Sequence, residues 1–219
     1  SSSKSTDGFG GHGFHRSSFY DDGSGFGGFG GFGGHGSAGF DQKGQDLNAS
    51  VSVTFDEAAF GCDKRITLQD QSGKAQTREV HIPAGIDSGK SIRLRGKGMP
   101  GTGKGGAGDL LLKVTVQPKA GYERKGMDVY TTVSIPYTTA VFGGEARVHT
   151  LYGDVMCKIK EGTQSGSRIR FRGKGIVSMK DANVHGDQYV TVQIQVPRHL
   201  NAEARQKLME YKKAAAGGR

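Results

Sequence analysis

The folded part of this chain is one sequence unit that is used twice. The segment IPAGIDSGKSIRLRGKGM begins at Ile82, and IKEGTQSGSRIRFRGKGI begins at Ile159. Two further pairs of segments match in the same order: DLNASVSVTFDEAAFG from Asp46 with DVYTTVSIPYTTAVFG from Asp128, and GDLLLKVTVQP from Gly108 with GDQYVTVQIQVP from Gly186. A repeat of this kind constrains the fold strongly, because both copies must adopt the same structure.

The residue pattern within each copy predicts β-structure. Short alternating runs rich in Val, Ile, Thr and aromatic residues, such as VSVTF, RITLQ and LLLKVTV, are bounded by Gly, Pro, Asp and Ser. We therefore predict an all-β chain with two similar β-sandwich domains in tandem, at residues 46–122 and 123–200. DEAAFG and TTAVFG are expected to form single helical turns that end at glycine. QDQSGKAQTREV, the extra length in the first repeat, is expected to be a polar hairpin connection.

Two terminal segments differ from the repeats. Residues 1–45 are dominated by Gly and Phe, without Leu, Ile, Val or Met between Gly8 and Phe40, so they are predicted to be a disordered linker. Residues 201–219 are predicted to form a helix capped by Asn201. Its apolar positions at helical spacing are Leu200, Ala204, Leu208 and Tyr211. A helix this short needs a partner surface, either on its own domain or on a second chain.

A glycine-rich loop, IRLRGKGMPGTGKGGAGD, resembles a phosphate-binding loop around Lys104. Gly105 stands where such a loop needs a hydroxyl for magnesium, and the chain continues into a strand rather than a helix. The second repeat keeps only RGKG of this loop. A scaffold role is therefore favoured over a nucleotide site, and no cofactor is predicted.

The net charge of +9 leaves acidic partners, nucleic acid and an anionic membrane open. Two matching basic strands favour nucleic acid as the alternative function; they carry Arg93, Arg95 and Lys97 in one repeat and Arg170, Arg172 and Lys174 in the other. Aromatic residues interleave poorly with these cations, since only Phe171 lies among them. On alternating strands the cations point outward, so a solvated face is the preferred interpretation.

No catalytic or metal-binding constellation emerges. Cys62 and Cys157 belong to no CxxC motif, and the histidines are scattered. Asp109 and Asp187 follow matching glycines in both repeats, which favours a role in turns. No apolar signal or membrane-spanning segment is apparent. These patterns predict a non-enzymatic, cytoplasmic protein with reduced thiols and no bound metal.

Taken together, the Gly/Phe tract, both RGKG segments, GYERKGMDVYTTVSIPYTTAVFGGEARVHTLYG and GDQYVTVQIQVPRHLNAEARQKL resemble the substrate-binding half of a DnaJ-type co-chaperone. The resemblance covers nearly the whole chain. It implies a protein that binds unfolded clients, delivers them to a DnaK-type seventy-kilodalton chaperone and forms a homodimer through its terminal helix. The sequence has no His-Pro-Asp tripeptide and no CxxC motif. We therefore expect a fragment that lacks the J-domain and the zinc-binding insert, and that binds without stimulating ATP hydrolysis.

The resemblance also implies residue roles. Carried over by position, it places the client groove in the first repeat, at Val51, Ile66, Leu68 and Leu112. The alternative for each is an ordinary core position, because alternating apolar residues of a small sandwich are usually buried. Lys64 and Arg65 would engage the acidic tail of the partner chaperone, unless they serve only solubility. Leu200, Ala204, Leu208 and Tyr211 would lie in the dimer interface.

Overall fold

The computed structural model describes residues 40–69 and 73–218, and β-strands are their main regular secondary structure. We call residues 46–122 the first repeat and 123–200 the second. The elements of the first are β1 (Leu47–Val53), α1 (Phe55–Phe60), β2 (Cys62–Gln69), β3 (Ala75–Ile82), β4 (Ser91–Leu94) and β5 (Leu110–Val116). Those of the second are β6 (Glu123–Lys125), β7 (Asp128–Pro136), α2 (Tyr137–Phe142), β8 (Gly144–Thr150), β9 (Gly153–Ile159), β10 (Arg168–Phe171) and β11 (Gln188–Gln195). A terminal helix, α3, spans Ala202–Ala216.

Each repeat combines a larger sheet with a two-stranded hairpin. The first contains the sheet β1-β5-β4 and the hairpin β2-β3, and the second contains β10-β11-β7-β6 and β8-β9. In both larger sheets the first and last long strands pair in parallel, with Leu47 opposite Leu110 and Val129 opposite Gln188. Buried residues from the larger sheet and the hairpin form one apolar core in each repeat. The predicted all-β fold with two similar units is confirmed.

Three strands were not anticipated from the sequence. The second half of the expected polar connection is strand β3, which pairs with β2 from Cys62 opposite Ile82 to Gln69 opposite Ala75. Strands β6 and β9 also lie in segments with no clear alternation. Most side chains of β3 are exposed, and only Val80 and Ile82 are buried, so its strand character comes from pairing rather than from apolar periodicity.

The two short helices form as predicted, at equivalent places. Thr54 and Glu57 form a capping box at the start of α1, in which the Thr54 hydroxyl accepts from the Glu57 N–H at 3.1 Å. Each helix ends at a glycine with positive φ, +78° at Gly61 and +77° at Gly143. A Cβ atom at Gly61 would lie 2.9 Å from the Ala84 nitrogen, so the close approach of these backbones requires glycine.

Candidate functional site

The predicted groove residues of the first repeat lie together, but mostly in its core. Val51, Ile66 and Leu112 are buried and belong to one apolar cluster. Leu68 is partly buried and packs against the edge of the same cluster. The structure therefore brings all four residues to one place, and Leu68 is the one whose side chain remains accessible from outside.

Strand β2 borders this cluster with an open edge. Among the described residues, β2 pairs only with β3, and β1 pairs only with β5. Each of these strands therefore carries main-chain N–H and C=O groups on one side that no neighbouring strand occupies. Such an edge is a template for an additional strand. Apolar Leu68 lies beside it, near the end of β2.

The two predicted cationic residues of β2 differ in their surroundings. Lys64 Nζ lies 2.9 Å from Glu57 Oε1, so the side chain is held against the start of α1. This hydrogen bond raises the pKa of Lys64, while the Thr54 N–H and then Lys64 lower the pKa of Glu57. Arg65 is exposed, and no carboxylate contact is found for it in the described part of the chain.

The duplicated aspartates hold turns, as predicted from the sequence, and we call each one with its glycine and arginine partners an aspartate latch. Asp109 accepts from the Gly96 N–H at 2.9 Å and from Arg93 Nε at 2.7 Å, and its own N–H donates to Asp46. Asp187 repeats the arrangement with Gly173, Arg170 and Asp128. In each case the glycine N–H and then the arginine lower the pKa of the carboxyl. These carboxylates are committed to holding the loop after β4 or β10.

The glycine-rich loop holds main chain rather than phosphate. Gln42 and Thr102 exchange two backbone hydrogen bonds, and the Gly44 N–H donates to the Gly106 carbonyl at 2.9 Å. The Asp41 carboxylate accepts from the Lys104 N–H at 2.7 Å. No helix follows the loop, which runs directly into β5. We call residues 98–108 the clasp, because they bind the segment 40–45 that precedes β1.

On the larger sheet of the second repeat, the described aromatic rings are already covered. The Tyr130 and Tyr189 rings stack on each other with centroids 5.2 Å apart. Lys125 Nζ and the Arg168 guanidinium lie over the Tyr130 ring at 4.9 and 5.6 Å. Arg93 of β4 and Arg170 of β10 are exposed, as predicted, and each pairs with an aspartate of its own repeat. The other four predicted cations follow the ends of these strands; they are Arg95, Lys97, Arg172 and Lys174. This geometry gives the nucleic-acid alternative no support.

Helix α3 presents an apolar surface. Asn201 caps its start, as predicted, with its side chain accepting from the Ala204 N–H at 2.7 Å. The helix has no buried residue, and Leu208, Met209 and Tyr211 are exposed. A shallow groove on it is lined by Leu200, Arg205, Leu208, Met209, Tyr211, Lys212 and Ala215. The Tyr211 hydroxyl lies 3.0 Å from that of Tyr137, which connects the helix to α2.

The described residues show neither an activated cysteine nor a metal site. Burial raises the pKa of the Cys62 and Cys157 thiols, which is opposite to the activation of a nucleophile. Nowhere in residues 40–69 and 73–218 do three or more His, Cys, Asp or Glu side chains come together as a metal site. None of the helices described is long and apolar enough to cross a membrane.

An open strand edge beside an apolar core can accept an extended peptide segment as an additional strand. Residues 47–197 match the family model of the DnaJ C terminal domain. This chain belongs to that family. It is 45% identical over 142 residues to a chaperone protein DnaJ of Lachnospira eligens, a match that covers 65% of this chain and 38% of the relative.

Two other relatives show similar identity and coverage. The chain is 44% identical over 145 residues to a chaperone protein DnaJ of Burkholderia pseudomallei, covering 66% of this chain and 38% of the relative. It is 43% identical over 145 residues to one of Burkholderia thailandensis, with the same coverage. The matching part thus spans well under half the length of the relatives.

Proposed function

We propose that this protein binds unfolded or misfolded polypeptides, prevents their aggregation and delivers them to a DnaK-type ATP-driven chaperone. The observation that carries the proposal is the open edge of β2 beside the apolar cluster that contains Leu68. Unfolded chains differ from folded ones in exposing apolar side chains and unpaired backbone. A surface that offers both kinds of contact suits such ligands.

In this mechanism a client segment adds to β2 as an extended strand. Backbone hydrogen bonds to the edge supply affinity that does not depend on sequence, and apolar contacts with Leu68 supply selectivity for aliphatic or aromatic side chains. Val51, Ile66 and Leu112 form the floor beneath it. Because these three are buried, their part in binding is to support the groove, and Leu68 makes the direct contact.

The partner chaperone would be contacted through its acidic tail at Lys64 and Arg65. Arg65 is exposed and free of ion pairs among the described residues, so it is the stronger candidate for a carboxylate contact. Lys64 must exchange its bond with Glu57 to take part. An exposed pair of this kind contributes little affinity by itself, which suits transient transfer of a client.

A homodimer through α3 completes the proposal, and the repeat supports it. Phe55 of α1 is 7% exposed because Val129 and Ile176 of the second repeat pack against it, and the Tyr122 ring lies 5.8 Å away between centroids. Its counterpart in α2, Tyr137, is 41% exposed, and Phe142 at the other end of the same helix is 76% exposed. Tyr137 contacts Tyr211 and thereby extends the apolar side of α3. A second copy of the chain, contacted through Leu200, Ala204, Leu208 and Tyr211, would cover it.

The remaining parts of the proposal are the domain boundaries, the absence of enzyme activity and of cofactors, and a cytoplasmic location. The linker assigned to residues 1–45 lies outside the described residues up to position 39, and from Phe40 onward the chain is bound to the clasp.

The proposal is tested by light scattering from a chemically denatured protein diluted into buffer, with this chain or its variants present. Leu68→Ser removes the accessible apolar contact, and Gln69→Ser changes an exposed neighbour on the same strand as a control. We expect the unmodified chain and Gln69→Ser to suppress scattering and Leu68→Ser to lose most of the effect, with circular dichroism confirming that all three fold. Failure of the unmodified chain to suppress scattering would refute the proposed function. Salt-sensitive binding to single-stranded DNA would then favour the nucleic-acid alternative.

A further inference from the structure

Arg124 is a largely buried cation that binds the other repeat through main-chain carbonyls. It lies in β6, an edge strand without a counterpart in the first repeat, and its side chain is 11% exposed. Its Nη1 donates to the Ile86 carbonyl at 2.5 Å and its Nη2 to the Gly85 carbonyl at 2.8 Å. Its Nε donates to Gly126 at 2.8 Å. The guanidinium therefore bridges the second repeat and the turn after β3 of the first.

The surroundings show that this bridge is the centre of a packed joint. Burial lowers the pKa of Arg124, and the nearest carboxylate, Asp87, lies 3.9 Å from Nε, so the carbonyl groups carry most of the compensation for its charge. A buried guanidinium that lost these acceptors would be strongly unfavourable. The acceptor carbonyls are themselves fixed, because the Gly85 N–H donates to Ala58 of α1 at 2.8 Å and Ile86 is fully buried in the first core.

Apolar contacts near Arg124 also hold the two repeats together. Phe55 and Ala59 of α1 share a small core with Val129 and Ile176 of the second repeat. A Cβ atom at Gly85 would lie 2.2 Å from the Val177 carbonyl oxygen, so the two backbones nearly touch.

Among the described residues, the equivalent turn of the second repeat has no neighbouring backbone of this kind. Gly162 corresponds to Gly85 and also has a positive φ, of +75°, but a Cβ atom there would meet open space. The joint at Gly85 is therefore an addition to the repeated unit and not a requirement of its fold.

We propose that Arg124 is a pin that locks the two repeats into one rigid body with a fixed mutual orientation. The consequence for binding rests on the proposed function: a rigid pair holds the β2 edge at a constant distance from α3, and hence from the corresponding edge of a second copy. Arg124 acts as a positioning residue, since it contacts neither β2 nor α3 in the described contacts.

The test measures the mutual orientation of the two repeats in the absence of a client. Spin labels at Ser50→Cys in β1 and Gln193→Cys in β11, both exposed, report the distance between the repeats by double electron–electron resonance. Cys62 and Cys157 are replaced by alanine in this background. An excess of unlabelled chain restricts the signal to pairs within one molecule.

The comparison is between Arg124→Met, which keeps the length of the side chain without its donors, and Lys125→Met, which changes an exposed cation on the same strand. We expect a single narrow distance for the parent and for Lys125→Met, and a clearly broader or shifted distribution for Arg124→Met. Hydrogen exchange within each repeat should stay unchanged. A narrow, unshifted distribution for a folded Arg124→Met would overturn the proposal.

A milder variant covers the case in which Arg124→Met does not fold. Arg124→Lys keeps the charge but cannot reach three carbonyls with a planar fork, so it should broaden the distribution to a lesser degree. If Arg124→Lys instead gave the parent distribution, the pin would be refuted. None of these outcomes depends on client binding, so failure of the pin and failure of the proposed function are distinguishable.

Discussion

The hydroxyl groups of Tyr137 and Tyr211 lie 3.0 Å apart, and their rings meet edge to face with centroids 6.4 Å apart. Tyr137 belongs to the second repeat and Tyr211 to the terminal helix, so this pair attaches α3 to α2. Tyr137 occupies the position that Phe55 has in the first repeat. The helix thus contacts the same surface that serves the joint between repeats one unit earlier.

This relationship leads to a prediction about assembly. Tyr211→Ala removes both the ring contact and the hydrogen bond, and should shift the equilibrium between dimer and monomer towards monomer. Lys213→Ala, on the opposite side of the helix, should leave it unchanged. Sedimentation velocity over a range of concentrations measures the effect. Equal distributions for the parent and Tyr211→Ala would contradict a dimer built on this surface.

The aspartate latches predict a loss of stability in acid. The Gly96 N–H and Arg93 lower the pKa of Asp109 below its ordinary value of 3.8. A carboxyl whose pKa is lowered by folding contributes fully above its unfolded pKa, and the contribution is lost as the pH falls below 3.8 through the folded value. Stability measured by urea unfolding should therefore decline at such pH.

Substitution of the two aspartates tests whether their carboxyl groups cause this dependence of stability on pH. Asp109→Asn should destabilise the protein at neutral pH and flatten its acid dependence, since the substituted residue no longer titrates. The Asp109→Asn/Asp187→Asn double variant should flatten the dependence further, because the two latches lie in separate repeats. An unaltered acid profile in the double variant would mean that other carboxyl groups determine it.

The groove residues should separate into structural and contacting positions. Leu112 is fully buried, so Leu112→Ala should lower the free energy of unfolding by about 2–5 kcal/mol, through lost burial and the cavity that remains. Leu68→Ala should cost clearly less, because Leu68 only borders the core. Urea unfolding measures both, and peptide binding should be weakened at least as much by Leu68→Ala as by a still-folded Leu112→Ala. The reverse order would place the groove deeper than β2.

Substitutions at two adjacent glycines test whether the clasp binds the segment 40–45. A Cβ atom at Gly105 would lie 2.2 Å from the Gln42 carbonyl oxygen, whereas one at Gly106 meets open space. Gly105→Ala should displace the segment 40–45 and raise hydrogen exchange at the Gln42 and Thr102 amides, and Gly106→Ala should not. Similar exchange in both variants would show that the clasp does not bind this segment tightly.

Lys104 provides a separate control on the loop. Its N–H donates to Asp41, and its side chain has no contact in the described residues that would mark a phosphate site. Lys104→Ala should therefore preserve the backbone bond and leave the clasp intact. Measurable nucleotide binding that this substitution abolished would contradict the scaffold role.

The sequence determined much of this protein by itself. The two copies of the repeat and the alternation of apolar residues specified two similar β-units, because a strand must bury one face and both copies must do so alike. Thr54, Asn201 and the terminal glycines specified where helices begin and end, since these are local hydrogen-bonding and φ requirements. The duplicated Asp109 and Asp187 indicated turns for the same reason.

The remaining features depend on contacts between segments that are distant in the sequence. Strand β3 is polar and exists because β2 pairs with it, which no periodicity reveals. The positions of Val51, Ile66 and Leu112 in the core, with Leu68 at its rim, depend on how the two sheets pack. Arg124 is one of many cations in the sequence, and its burial against Gly85 and Ile86 arises from the packing of one repeat on the other. Local patterns fix what each segment forms, whereas contacts between distant segments fix which side chains remain available for binding.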